Sequence, residues 1–253
     1  MPPPGCSCEN LIGWGISGTV YRDELRNEVI KAPNDANSRR FIEVEKEIYE
    51  RLGQHNGLLQ YHGSELFWKD NRTAIRLEHA PNGQLYRFLQ DRSNDVDRTL
   101  QMRWISQLAD VLEYVHSRGV VHGDISCHNI LLDEHLNAKL IDFAGSSIDG
   151  SPLLALYSVR AQPPYPSTPQ KDENFAFGSA CYHILMRHVA FHELSDDDVE
   201  DRYKQGIFPE LKSLGAFGVI IGGCWNGKYN HMDGVIKEMG KQGMFMKLGV
   251  LTI

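Results

Sequence analysis

The sequence predicts an α+β fold in which a small β-rich N-terminal lobe with one helix precedes a larger, mainly helical lobe. Three observations predict it. Short β-type segments occupy the chain up to Lys31 and return between Ser64 and Leu77, one amphipathic helix interrupts them, and a helical period takes over after Pro81-Asn82-Gly83. At 253 residues, 42% hydrophobic and 23% charged, the chain has material for one two-lobed domain and little else.

The first elements are short. Asn10-Leu11-Ile12, Thr19-Val20-Tyr21 and Glu28-Val29-Ile30-Lys31 read as strands, the first two joined by a Gly-rich turn. From Ser38 to Leu52, the residues Phe41, Val44, Ile48 and Leu52 recur at helical spacing among charges, which describes a helix packed on one side and ended by Gly53. Ser64 to Trp68 and Thr73 to Leu77 form a strand pair turned at Asp70-Asn71, and the break at Pro81-Asn82-Gly83 marks a hinge.

Beyond the hinge, Leu85 to Gln90 and Thr99 to Ser117 read as helices. Leu100, Trp104, Leu108, Val111, Leu112 and Val115 stripe the second, and Gly119 stops it. Asn129 to Leu132 and Ala138 to Ile141 flank an Asp-Glu-His turn as a small hairpin. The Pro-rich stretch Gln162 to Pro169 reads as an extended surface loop. Helices are expected at Asn174 to Arg187 and Asp196 to Gln205, with others near the end.

Bulk properties exclude several functions. A formal charge of -7 gives no basic face for a nucleic-acid backbone, so no nucleic-acid partner is expected. Five cysteines without a framework read as reduced thiols, which places the protein in the cytoplasm or nucleus. Cys6 and Cys8 lack a second ligand pair at metal-binding spacing. The first residues lack a basic region followed by an apolar one, and no apolar run approaches the roughly 20 residues of a membrane span, so no membrane association is expected.

The chemistry is concentrated in four segments. Gly13-Trp14-Gly15-Ile16-Ser17-Gly18 lies between two strands, where its glycines let backbone N–H groups approach phosphates. Lys31 closes the next strand, within reach of the α- and β-phosphates of a bound nucleotide. One of Glu43, Glu45, Glu47 and Glu50 on the following helix can pair with it, the others facing solvent. His122-Gly123-Asp124-Ile125-Ser126-Cys127-His128-Asn129 supplies a carboxylate to orient an attacking hydroxyl and, five residues on, an amide oxygen for a metal. Leu140-Ile141-Asp142-Phe143-Ala144-Gly145 supplies a second carboxylate directly after an apolar strand, suited to Mg²⁺.

These residues, from Leu11 to about Trp225, resemble the eukaryotic protein-kinase family. The resemblance implies a kinase-like domain over 1–253, with N-lobe about 9–77, hinge about 78–83, C-lobe about 84–239 and tail 240–253. It implies ATP and Mg²⁺ as cofactors, with Gly13, Gly15, Gly18 and Val20 in the phosphate loop, Lys31 paired with Glu45 (Glu47 the fallback), and Asp124 as catalytic base. Asn129 and Asp142 would hold magnesium. Val20, Val29 and Leu131 would enclose the adenine, with Leu77 as gatekeeper and Glu78 to Ala80 as hinge backbone. Asp172 resembles the buried aspartate that opens the central C-lobe helix and supports the catalytic loop. Cys224-Trp225 resembles a late pair of tyrosine-kinase-like members, with a role in the core.

The pattern departs from the family at several points. Gly123 replaces the arginine that precedes the catalytic aspartate, so switching by a phosphate on the activation segment is not expected. Ala144 replaces a glycine of the metal-binding motif but leaves Asp142 untouched, so chemistry can survive it, whereas Ser126 replaces the lysine that steadies the γ-phosphate in serine/threonine kinases, which implies low activity. The nearest match to the substrate-anchoring Ala-Pro-Glu motif is Ala161-Gln162-Pro163, without its glutamate, and the arginine partner of that glutamate is missing after Trp225. Three functions follow: a monomeric protein kinase acting on Ser/Thr or Tyr hydroxyls of a protein substrate, a kinase-like nucleotide-binding or scaffold module, and a small-molecule phosphotransferase of the aminoglycoside- or choline-kinase type.

Overall fold

The computed structural model describes residues 6–67, 72–92, 95–154 and 157–244. In the N-lobe, β1 (Leu11–Trp14), β2 (Thr19–Asp23), β3 (Glu28–Ala32), β4 (Tyr61–Phe67) and β5 (Arg72–Glu78) form one antiparallel sheet of order β1-β2-β3-β5-β4. The register sets Val20 opposite Lys31, and Lys31 opposite Ile75. Trp68 and the turn expected at Asp70-Asn71 lie outside the described residues.

Helix α1 (Arg39–Leu52) packs on this sheet. Its buried face is Ile42, Glu45, Ile48, Tyr49 and Leu52, with Phe41 and Val44 only half-buried. The stripe is thus turned by one residue from the apolar spacing in the sequence, because one position of the buried face carries a paired carboxylate instead of a hydrocarbon.

The C-lobe begins with α2 (Leu85–Asp91) and α3 (Arg98–Ser117), the latter capped by Asp97, whose carboxylate accepts from the Leu100 N–H at 2.7 Å. The expected hairpin is β7 (Ile130–Leu132) with β8 (Ala138–Leu140). An unexpected two-stranded ladder, β6 (Val120–Val121) with β9 (Ser147–Ile148), holds the chain after Asp142 against the segment that leads to Asp124. Helix α4 (Pro169–Met186) runs through the lobe's core, followed by α5 (Asp196–Lys204), α6 (Ala216–Trp225) and α7 (Met232–Lys241).

Two expectations are corrected. Helix α4 starts at Pro169, not Asn174, so the proline of the expected loop is the first helical residue, a position whose missing N–H costs nothing. The tail expected from 240 is helical through Lys241, and residues from 245 lie outside the described ones. Cys224 and Trp225 are core residues as expected, the indole N–H donating to Ser179 Oγ at 2.9 Å.

Candidate active site

Between the lobes lies a cleft of about 470 Å³, within the usual range for a nucleotide-sized ligand. Its lining includes every residue expected to touch ATP, namely Gly13, Gly15, Gly18, Val20, Val29, Lys31, Glu78, Ala80 and Leu131, together with Leu77, Glu45, Asn129 and Asp142. Sequence reasoning missed Gln84, Arg87 and His128, which line the same cleft. A second hollow, between Ile16 and Arg40, brings together no set of reactive groups.

Lys31 is the electrostatic centre. Its ammonium lies 2.6 Å from Glu45 Oε2 and 2.7 Å from Asp142 Oδ1, and both Lys31 and Glu45 are buried. Lys31 stays protonated because the two carboxylates outweigh the effect of burial and raise its pKa. Burial pushes the Glu45 carboxyl up to about 7 against the pull of Lys31, with Asp142 adding to the rise. Burial alone would raise Asp142 too, but there the Lys31 ammonium wins and holds the carboxyl below its ordinary range.

Asp142 reaches this position through a left-handed backbone, φ 67 and ψ 64, of the kind that costs a non-glycine residue about 1–3 kcal/mol and collects at functional sites. Ala144 follows in a buried 3-10 turn, Phe143–Gly145, so its methyl is accommodated and Asp142 is undisturbed. Ser17 of the glycine loop donates to Asp142 Oδ1 at 3.4 Å. Gly18 is required by close approach, since a Cβ there would lie 2.5 Å from the Ala32 carbonyl oxygen.

Asp124 lies next to the cleft, linked to it by Asn129, whose Nδ2 donates to the Asp124 carbonyl and to Asp124 Oδ2, each at 2.8 Å. That leaves the Asn129 amide oxygen and one Asp124 carboxylate oxygen for other partners. Burial raises the Asp124 carboxyl, opposed by His122 and Asn129. His122 Nε2 donates to the Ile141 carbonyl at 2.8 Å, tying the Asp124 loop to the Asp142 strand. An aromatic column joins the lobes: Tyr61 stacks on Tyr49 at 5.8 Å, Tyr49 meets Phe143 at 5.5 Å, and Phe143 meets His122 at 4.9 Å.

The expected role of Asp172 is corrected by one residue. Asp172 accepts from the Ser167 N–H and hydroxyl at the start of α4. Its neighbour Glu173, fully buried, accepts from the Gly123 N–H at 2.7 Å and from His116 Nε2 at 2.5 Å. Burial would raise the Glu173 carboxyl, but the pairing with His116, His122 and Gly123 outweighs it and holds the carboxyl low. Gly123 itself has φ 83, and a Cβ there would lie 2.5 Å from Leu153 Cδ2. Leu153 thus fills the space over the position where the family's arginine is missing.

Fit to ATP and Mg²⁺ follows from the donor set. A carboxylate and a spare amide oxygen are hard oxygen ligands of the kind magnesium takes, and an ammonium and glycine backbone suit phosphate. Among the described residues, no hydrogen bond takes up the N–H of buried Ala80, which leaves a donor in the cleft for an adenine edge.

The family model described as protein tyrosine and serine/threonine kinase matches residues 7–148, a segment containing all of these cleft residues. Aurora kinase C of Mus musculus is 27% identical over 227 residues, covering 81% of this chain and 78% of that protein. Aurora kinase B of Danio rerio is 27% identical, over 78% of this chain and 61% of that protein. The carbon catabolite-derepressing protein kinase of Saccharomyces cerevisiae is 28% identical, over 78% of this chain and 32% of its own length. The chain therefore spans less than two thirds of the last two relatives.

Proposed function

From the premise that the chain belongs to the protein tyrosine and serine/threonine kinase family and is an enzyme of that class, we propose that it transfers the γ-phosphoryl group of ATP to a serine or threonine hydroxyl of a protein. The observation that carries this reading is the Lys31 ammonium held between Glu45 and Asp142, with Asp124 tied to the same cleft by Asn129. A metal here supplies charge neutralisation of the phosphates when bound. Asp142 and the Asn129 amide oxygen would hold it, Lys31 and the glycine-loop N–H groups would hold the phosphates, and the cleft walls Val20, Val29 and Leu131 would exclude water from the adenine. Asp124 orients the acceptor hydroxyl and takes its proton on the carboxylate oxygen that Asn129 leaves free. The protein works in the cytoplasm or nucleus, a setting that suits its five unpaired cysteines.

A radiolabelled γ-phosphate transfer assay with Mg²⁺ and a generic protein substrate, run beside Asp124→Asn, tests this reading. Label on serine or threonine that requires Asp124 is the expected result; undiminished transfer by Asp124→Asn sinks the assignment of the base, and label on tyrosine changes the acceptor class. A nucleotide-binding module is the second reading, favoured by Ser126 in the place of a phosphate-steadying lysine. Stabilisation by Mg-ATP without transfer to protein supports it, and consumption of ATP with an amino-sugar or choline supports a small-molecule enzyme.

A further inference from the structure

The segment following Asp142 ends in a 3-10 turn, Val159–Ala161, just before Gln162-Pro163, where the family's anchoring glutamate is missing. Arg160 in this turn is not a solvated surface arginine, its side chain being only 18% exposed. Its Nε donates to the Ala190 carbonyl at 3.0 Å, and its Nη2 to the carbonyls of Phe191 at 3.3 Å and Leu194 at 2.6 Å. Its Nη1 pairs with Asp196, the first residue of α5. In return, the Tyr203 hydroxyl of α5 donates to the Arg160 carbonyl at 3.4 Å.

Every acceptor of the guanidinium lies on the connection between α4 and α5 or at the first residue of α5. That connection is shaped to receive it. Phe191 adopts φ 49, unusual for a bulky side chain, and Arg202 of α5 lies over the Phe191 ring at 5.2 Å. A planar fork that is always charged can serve three carbonyls and a carboxylate at once, which a lysine ammonium cannot do with the same geometry.

We propose that Arg160 is the positioning residue of the substrate side, holding residues 157–163 against the α4–α5 connection and doing the work of the glutamate–arginine pair that this chain lacks. The proposal rests on the kinase reading for its functional meaning. It moves the support of the docking platform from the end of the domain, after Trp225, to the start of α5. Among the described residues, none of the hydrogen-bond partners of Arg160 lines the cleft, so it acts on substrate through the backbone it fixes.

The test compares wild type with Arg160→Ala, Arg160→Lys and Asp196→Asn, in two measurements. In the first, KM for dephosphorylated casein is read against KM for ATP. Arg160→Ala should raise the casein KM about tenfold and leave the ATP KM within about twofold, the size expected from losing charge-assisted hydrogen bonds to one anchor. Arg160→Lys should fall between the two, and Asp196→Asn nearer wild type, because its carboxylate is the most exposed partner. In the second, amide hydrogen exchange of residues 157–163 should quicken about tenfold in Arg160→Ala while the core of α3 and α4 stays protected.

Unchanged exchange in that segment overturns the anchor whatever the kinetics show, and so does a rise spread evenly over the domain, which would mean a general loss of stability. Equal losses against casein and ATP overturn the assignment to the substrate side. If wild type transfers no phosphate, the kinase reading fails, and the exchange measurement still decides the anchor by itself.

Discussion

The cleft between the lobes and the segment that follows Asp142 differ in how their family features are kept. On the cleft side, charged groups meet at contact distance, with Lys31 at 2.6 and 2.7 Å from its two carboxylates, and one charge of the family pattern is missing, at Ser126. On the platform side, the arginine before Asp124 has become glycine, the anchoring glutamate is absent, and other residues hold the chain. Leu153 covers Gly123, β9 pairs with β6, and Arg160 binds carbonyls of the α4–α5 connection. The difference separates two kinds of constraint. A charge at one point in space has no substitute when it must meet a phosphate or a metal, whereas holding a backbone in place can be done by any side chain with the right donors or volume.

The sharpest way to break this comparison is to neutralise one cleft charge. Asp142→Asn keeps the shape but removes the charge from the set that faces Lys31. kcat/KM for phosphate transfer is expected to fall about 10³-fold, the scale for losing one electrostatic contact to a transferring group. A loss below tenfold, measured under saturating Mg²⁺, would place the metal on other ligands.

Restoring the family's arginine tests the platform from the other direction. Gly123→Arg forces a side chain into left-handed backbone and against Leu153, and should destabilise the fold by about 3 kcal/mol in denaturant unfolding without creating a phosphate-responsive site. Wild-type stability in this variant would show that Leu153 moves aside freely and that the platform is less built than its geometry indicates.

How far the sequence exposed these two regions follows the same division. The cleft residues were legible because their spacing is dense and their chemistry specific: the structure brings Lys31, Glu45, Asn129 and Asp142 to one cleft, with Asp124 beside it on Asn129. The support behind them was not. Asp172 and Glu173 are adjacent acids, and α4 is buried nearly all round, so no apolar stripe distinguishes the one that points at Gly123. Arg160 left no signal because three of its partners are backbone carbonyls more than 25 residues away. On α1, the spacing alone left Glu45 one of four acids, and its burial and its 2.6 Å pairing with Lys31 single it out.

A smaller effect should appear in the pH profile. With the Glu45 carboxyl pushed up to about 7, its protonation removes one partner of Lys31, so kcat/KM should fall about tenfold per pH unit below that value. Stability should move the other way. A carboxyl raised from 4.5 in the unfolded chain binds its proton more tightly when folded, so its stabilising contribution is complete below 4.5 and is lost as pH rises through about 7. Glu45→Gln should abolish both trends. Persistence of the acid limb in that variant would assign it to Asp124, whose carboxyl is also raised.

The smallest expected change is a gain. Ser126 opens the 3-10 turn Cys127–Asn129 in extended conformation, φ -158 and ψ 164, its carbonyl accepting from the Asn129 N–H at 3.0 Å. Its backbone is therefore held while its half-buried side chain makes no hydrogen bond among the described residues. Ser126→Lys adds an ammonium two residues from Asp124 without asking the backbone to move, so kcat should rise a fewfold, roughly three to ten, while KM for ATP changes little. A gain of that size would mean that the cleft is complete but under-charged at the γ-phosphate. No gain, or a loss, would mean that the loop carrying Asp124 has been refitted around serine, and that the cleft has drifted from the family as the platform has.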